Sequence, residues 1–445
     1  MTRNHRAWTL CLLIATWAAA PAAVAFAHSE PNIVPIDEVE GDNDSEGYTP
    51  GVDGPGGQPP LQIMGYIDVG YANAQGNGTS FAPGDTRLPA DYGVDTFAPA
   101  VNSRGDVAST DSGGLFTNGF LPRSVGIGGR ASFLINTVNF DFKYTAPGAP
   151  VMLFTRLQLL PRFTGAGDET RPVLEQAFGR IIPFDSQELA ITIGKFDSVF
   201  GIEYIENPSN IRTGITPSLW ARYTTGSSIG GKVFYRQQIA PLWSAVSLNV
   251  AATNHGNFVE ALQPPDASLT GRPVMSARLG YELNLPVIQV KLGGSVLDGP
   301  RNDQNQADAR QQIVGVDLRV ALLGLYLNGE YIHVKETEGG PKTTGAANLP
   351  VSSGFRANGF YAQLAYTVAV DFGPLRRVTV YGRYEQRHAA FPGFTPITVD
   401  RVTGGVRTEL WEMLILKGEY LRNRELEGAP NVSNDVMTTS LVYTW

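Results

Sequence analysis

Segments in which polar and apolar residues alternate recur along most of this chain, and the gaps between them run short, long, short, long. In RVTVYGRYEQR, Val378, Val380 and Tyr384 oppose Arg377, Thr379, Tyr381, Arg383, Glu385 and Arg387. MSARLGYEL, VIQVKLGGSV and QIVGVDLRV repeat the pattern, each close to the ~10 residues that a tilted strand needs to cross hydrocarbon. The short gaps are TAPGAP, PFDSQE, QQIAP, LP near Leu285, LLG near Leu323, DFGPL and WE at Trp411. The long ones run over 164–171, 197–225, 253–272, 298–309, 336–354, 389–399 and 424–434. Alternation alone also suits a two-sheet sandwich, but a sandwich has no reason to keep tight turns at one end and long loops at the other. A membrane-crossing barrel has that reason. The expected fold is all-β, a transmembrane antiparallel β-barrel.

The same alternation sets the strand count. SVGIGGRASFLI and VNFDFKY, taken as two strands, would give seventeen and invert every later loop. Their apolar parities differ: Ile127, Ala131, Phe133 and Ile135 are odd, whereas Phe140, Phe142 and Tyr144 are even. One strand with a bulge near Asn136 resolves both problems, since an extra residue flips the facing of every residue after it. Sixteen strands result, with fourteen or eighteen as alternatives. The last is VMTTSLVYTW, with Leu441, Tyr443 and Trp445 on its apolar face. It is expected to close the barrel against the strand from Leu61 and to present the signal read by a barrel-assembly machinery. Sixteen strands enclose an aqueous channel unless something fills it.

The chain opens with Arg3, His5 and Arg6, an apolar run from Trp8 to Trp17, and Ala25-Phe26-Ala27. This reads as a signal peptide over residues 1–27, too short to span a bilayer comfortably. Its Cys11 is the single cysteine, so the mature chain has no disulfide or thiolate site. Residues 28–60 carry eight Asp and Glu and no Lys or Arg, and GVDGPGGQPP ends them; an acidic disordered tail is expected, lying in the periplasm with the C-terminus. Asp42 to Gly47 resembles the start of a calcium loop, but Pro50 and Asp53 occupy its ninth and twelfth positions, so no metal is expected. The barrel domain is residues 61–445. Mean hydropathy is −0.10, so no apolar helix carries the membrane crossing; 50 Gly with 38 Tyr and Phe suit two-faced strands. The net charge of −8 gives no reason to expect a nucleic-acid partner, and no cofactor is indicated.

A charge facing lipid costs about 2–4 kcal/mol at the midplane, so charges on strands are assigned to the lumen. The inward bases are Lys143, Arg156, Lys232, Arg236, Arg278, Lys291, Arg319, Arg377, Arg383, Arg387, Arg401, Arg407 and Lys417. The inward acids are Asp68, Asp141, Glu282, Asp317, Glu330, Glu385, Glu409 and Glu419. Five of the arginines, Arg377, Arg383, Arg387, Arg401 and Arg407, are assigned to strands fourteen and fifteen. A mildly basic wall would favour anions. The long third loop, 197–225, holds Phe200, Ile202, Tyr204, Ile205 and Trp220, too apolar for free disorder. It is expected to fold into the lumen, with Lys195, Glu203, Glu206, Arg212 and Arg222 lining the narrow point.

The motif GKFDSVFGIE, preceding the rest of this long loop, resembles the porin O/P and OmpL-like groups of outer-membrane porins. The resemblance implies a sixteen-stranded channel in the outer membrane of a Gram-negative bacterium, commonly trimeric, passing small solutes. Its phosphate-selective members imply a lysine-rich constriction, and residues 197–225 contain no lysine. Two other classes compete. One is a structural or adhesive barrel plugged by the first long loop, residues 72–123. The other is a barrel enzyme, for which His255, His333 and His388 are the candidate histidines; no partnered Ser, Asp or Asn accompanies them, so no catalytic residue is assigned.

Overall fold

A computed structural model describes residues 60–74, 130–159, 172–184, 189–197, 199–239, 243–254, 273–300, 310–337, 355–390, 396–427 and 435–445. The segment read as a signal peptide, the acidic tail and most of the first long loop lie outside the described residues. Sixteen strands run in order: β1 (Leu61–Ala74), β2 (Arg130–Thr145), β3 (Val151–Leu159), β4 (Pro172–Ile181), β5 (Leu189–Asp197), β6 (Ser227–Ile239), β7 (Ser244–Thr253) and β8 (Val274–Asn284). The second half comprises β9 (Ile288–Pro300), β10 (Arg310–Leu322), β11 (Leu325–Glu336), β12 (Phe355–Phe372), β13 (Leu375–Ala390), β14 (Ile397–Leu410), β15 (Leu414–Glu427) and β16 (Val436–Thr444). Each pairs antiparallel with its neighbours in sequence, and β1 pairs with β16, so the sheet is a closed barrel. Closure leaves no unpaired edge.

Register explains the parity switch. Asp68 of β1 faces Thr137, and Val69 faces Ile135, so Asn136 is the extra residue of a bulge. Before the bulge Ile135 is exposed; after it Phe140 and Tyr144 are, with Asn139 and Asp141, on either side of Phe140, buried. β2 is therefore a single strand, as the sequence parity requires. The merger moves every later strand down by one. The five arginines assigned to the fourteenth and fifteenth strands consequently sit on β13 and β14.

The two faces of the sheet are chemically opposite. Outward residues are apolar and exposed, among them Ile63, Ile67, Val69, Leu279, Val296, Val316, Val380 and Leu441. Inward residues of the same strands are polar and buried, among them Asp68, Ser276, Ser295, Asp317, Thr379 and Ser440. Only hydrocarbon makes such an exterior favourable, because each apolar side chain left in water forgoes roughly 1.5–3 kcal/mol of burial. The short turns lie at one end of the barrel. Leu323 and Gly324 form a two-residue hairpin with both φ angles positive, the twist that matches flanking strands.

The seam between β1 and β16 is fastened on both faces. Nine residue pairs join the strands, from Tyr66 with Thr444 to Ala74 with Val436. Trp445 extends the ladder: its carbonyl accepts from the Gly65 amide at 3.2 Å, and its own amide donates to the Gly65 carbonyl at 3.1 Å. Its indole lies across Gly65 so closely that a Cβ there would stand 2.5 Å from the ring. The same ring meets Phe140 edge-on at 5.7 Å and stacks with Tyr443 at 6.1 Å. Inside, the fully buried Asp68 carboxylate accepts from Ser440 Oγ at 2.6 Å and from the bulged Asn136 Nδ2 at 2.8 Å.

Deletion of Tyr443 to Trp445 removes the Gly65 bonds, two cross-seam pairs and the aromatic cover together. The truncated protein is expected to lose the heat-modifiable, folded band on gel electrophoresis. A normal folded band would show that closure does not depend on the final residues.

Candidate functional site in the barrel lumen

Residues 199–226, joining β5 to β6, are the chemically distinctive part of the interior. Irregular backbone cannot be buried without partners for its N–H and C=O groups, each costing about 1–3 kcal/mol when left unmet. The wall supplies them in two kinds. Carboxylates take the amides: Glu330 Oε1 accepts from Ile202 at 3.1 Å and Glu203 at 2.8 Å, Glu385 from Leu219 at 2.6 Å, and Glu419 from Ile215 at 2.8 Å and Thr216 at 3.1 Å. Cations take the carbonyls. Arg319 donates to Ile202, and Arg383 to Thr216 and Pro217. Arg407 donates to Asn210, Ile211 and Arg212. Lys417 Nζ donates to Ser209 and Arg212, both at 2.6 Å, and to Gly214 at 3.0 Å. All these wall residues are on the buried face of β10, β11, β13, β14 and β15, so the segment lies against the lumen wall.

Apolar anchors complete the docking. Towards the long-loop end the inner wall changes character, and Leu297, Ile313, Ile332, Val334, Ala357, Ala389 and Val399 form a buried cluster with Phe200, Leu219, Trp220 and Tyr223. Trp220 is fully buried, its Nε1 donating to the Gln386 carbonyl at 3.1 Å. The Arg387 guanidinium stands 5.2 Å above the Trp220 ring and 5.4 Å from the Tyr223 ring. The four-residue helix α1 (Ala221–Thr224) carries the chain out of this cluster to β6. At the other end of the segment, Gly201 has φ +72° and abuts Glu330, where a Cβ would meet Oε2 at 2.2 Å. A side chain at this position would displace the carboxylate that holds the next two amides.

The expected narrow-point residues turn into the loop or its wall rather than towards open lumen. Glu203 accepts from the Ser218 amide and hydroxyl, both at 2.6 Å, and from Thr224 Oγ1 at 2.8 Å. Burial pushes its carboxyl above the usual range, against those bonds from Ser218. Glu206 accepts from Tyr326 at 2.6 Å and Asn328 at 3.2 Å, and Arg212 donates to the Ile215 and Asn207 carbonyls. Each braces backbone that has no regular ladder. Lys195 lies within β5, on the face opposite the buried Thr192 and Phe196, and its Nζ donates to the Leu174 carbonyl. It is therefore placed on the outer face, away from the loop. The side chain of Arg222 lies outside the described residues.

The inward bases are on the expected face, but most are committed and buried. Besides the four that hold loop carbonyls, Arg156 makes a two-pronged pair with Asp141 at 2.7 Å, Arg278 pairs with Asp317 at 2.6 Å, and Arg236 with Glu282 at 2.8 Å. Arg401 donates to Asn423, Lys232 lies 5.2 Å from the Phe196 ring, and Lys291 is buried. Arg377 is 3.9 Å from Glu409 and half-exposed, and Lys143 is partly exposed. Burying an unpaired charge costs several kcal/mol, which is why so basic a wall resolves into pairs. Arg180 is an inward base that sequence reasoning missed; it donates to Thr192 at 3.2 Å and sits 5.3 Å from the Phe178 ring. Among the described residues no group of His, Cys, Asp or Glu could hold a metal. His388 Nδ1 lies 2.9 Å from Thr398 Oγ1, and His255 is outside the described residues.

No family model matches the chain, and no curated protein matches it. Among solved structures, it is similar to a loop L8 deletion mutant of OmpT, an outer membrane protein of Vibrio cholerae, at 11% identity, covering 86% of this chain and 99% of that one, with a TM-score of 0.48. It is also similar to the outer membrane channel DcaP of Acinetobacter baumannii, at 12% identity over 86% and 97% of the two chains, with a TM-score of 0.47. An anion-selective porin from Comamonas acidovorans gives 9% identity over 86% and 99%, with a TM-score of 0.48.

Lys417→Met strands the loop carbonyls of Ser209 and Gly214 and leaves that of Arg212 to Arg407 alone. The expected local loss exceeds about 1.5 kcal/mol, the low end for a single hydrogen bond to a charged group. It is read as faster limited proteolysis of residues 199–226 in a barrel that remains heat-modifiable. Cleavage at the wild-type rate would show that the lysine does not hold the loop.

Proposed function

We propose that this chain is an outer-membrane porin, a water-filled channel through which small hydrophilic solutes and ions diffuse. The observation that carries this reading is the pairing of an exposed apolar exterior with a polar interior in a closed sixteen-strand barrel. Barrels of this strand number are wide enough for an aqueous channel, and the segment 199–226 supplies a narrowing without supplying a chemistry. In this reading residues 1–27 direct export, residues 28–60 are a periplasmic tail, and the short-turn end with both termini faces the periplasm. The C-terminal strand engages the assembly machinery, the apolar exterior serves lipid and the contacts of a homotrimer, and no reaction is catalysed.

Selectivity is proposed to be a slight preference for anions. Inward bases outnumber inward acids, but Arg319, Arg383, Arg407 and Lys417 spend their donors on loop carbonyls and three more are paired with carboxylates. A field from matched charges is short-ranged, so little of the formal excess reaches a passing ion.

Purified, heat-modifiable protein is expected to give stepwise ion currents in planar bilayers. Its reversal potential in a salt gradient is expected to sit slightly towards the chloride equilibrium. Folded protein that passes no current would favour a barrel closed by its first long loop, and a cation-selective reversal would remove the anion preference.

A further inference from the structure

The outer face of β11 and β12 changes chemistry as it climbs from the turn towards the long loops. Its facing pairs run from Leu325 with Tyr366 and Leu327 with Leu364, through Tyr331 with Phe360 and His333 with Asn358, to Lys335 with Arg356. Lys335 and Arg356 are both exposed, and the inward neighbours Val334 and Ala357 are fully buried, which fixes the two cations on the outside of the barrel. Ten residues separate Leu325 from Lys335. At ~3.3 Å per residue and a tilt of about 35–45°, that is roughly 23–27 Å of height, against an apolar band of about 25 Å. The cations therefore stand where hydrocarbon gives way to headgroups. The aromatic row beneath them agrees: Phe360 faces Tyr331 on one side and meets the ring of Tyr384 edge-on at 5.8 Å on the other, the composition of a membrane interface.

Like charges directly opposite on a sheet have Cβ atoms about 4.5–5.5 Å apart and repel. Among the described residues, outward carboxylates close by are two strands away and engaged, Asp298 by Arg310 and Asp400 by Arg424. Glu427 is three strands from Arg356. The outer end of β8 instead presents the exposed Met275, so the cation pair is not a general property of this rim.

We propose that Lys335 and Arg356 clamp the phosphate of a phosphorylated lipid, whose acyl chains lie down the apolar exterior below them. A guanidinium fork takes two phosphate oxygens, and an ammonium meets a third as a point charge. Asn358, one row closer to the hydrocarbon, adds an amide donor. The apolar wall below the clamp, with Tyr331, Leu364 and Tyr366 exposed on it, is what favours a lipid over a free anion. A free phosphate would gain only two solvent-screened charges. The porin reading places the long-loop end, and with it this lipid, in the outer leaflet.

The test is native mass spectrometry of the folded, heat-modifiable protein released from detergent micelles containing diphosphorylated lipid A. The control is the same lipid with both phosphates removed. The wild-type protein is expected to retain the phosphorylated lipid in preference to the dephosphorylated one. Lys335→Gln with Arg356→Gln is expected to lower that retention by roughly tenfold or more while the folded band and the single-channel conductance stay unchanged. Should the double variant not fold, Lys335→Gln alone is expected to lose part of the retention and Lys335→Arg to keep it. Equal retention of the two lipids would overturn phosphate recognition, and undiminished retention in the variants would overturn the assignment to these residues. Displacement of the lipid by millimolar inorganic phosphate, or by an acidic peptide, would overturn the lipid as the occupant. Retention does not require an open channel, so folded protein that passes no current would count against the porin reading and leave the clamp standing.

Discussion

Everything inside this barrel depends on matching an irregular backbone to buried charge. Residues 199–226 leave the sheet, and so lose the ladder that satisfies every strand residue automatically. Their amides and carbonyls are then met one by one from the wall, the amides by Glu330, Glu385 and Glu419, the carbonyls by Arg319, Arg383, Arg407 and Lys417. Each such bond is worth about 1.5–3 kcal/mol because one member is ionised. Tyr361 and Tyr381 bond two of the acids, at 2.8 and 2.5 Å, and the Arg383 Nε bonds a third, Glu385, at 3.0 Å. The wall thus carries its charges as fixed brackets.

The same logic joins loop, bulge and seam. Asp68 takes hydrogen bonds from Asn136, Ser440 and Ser209, which belong to the β2 bulge, the closing strand and the docked segment respectively. One carboxylate therefore ties barrel closure to loop position. Outside, Trp445 over Gly65 covers the same seam from the hydrocarbon side, where no polar bond would be favourable. Polar fastening inside and aromatic fastening outside reflect the two solvents that the sheet separates.

Much of the architecture was legible in the residues because a strand has a period of two and a hairpin barrel repeats it without interruption. The change of parity around Asn136 revealed the bulge, and the uneven gaps revealed which end carries the turns. The partner of an inward charge was not legible, since parity names a face and not its occupant. Parity puts Arg319, Arg383, Arg407 and Lys417 on the inward face, yet nothing local shows that loop carbonyls 117 to 208 residues away in sequence take up their donors. Arg180 escaped notice because Phe178, on the same inward face, breaks the polar pattern that would have identified it. Lys195 was misplaced because it stands one residue before Phe196, in a stretch where Gly194 adopts φ +132° and the strand runs into the loop. The facing of Lys335 and Arg356 is a property of register between two strands, and no single segment displays it.

The claim that most needs testing is that the docked segment sets the width of the channel. Residues 203–218 can be replaced by a short Gly-Ser linker, and the single-channel conductance and polymer exclusion size compared with those of the intact chain. A folded barrel with markedly larger conductance and a larger size cut-off is the predicted result. A folded barrel whose conductance and cut-off are unchanged would contradict the account.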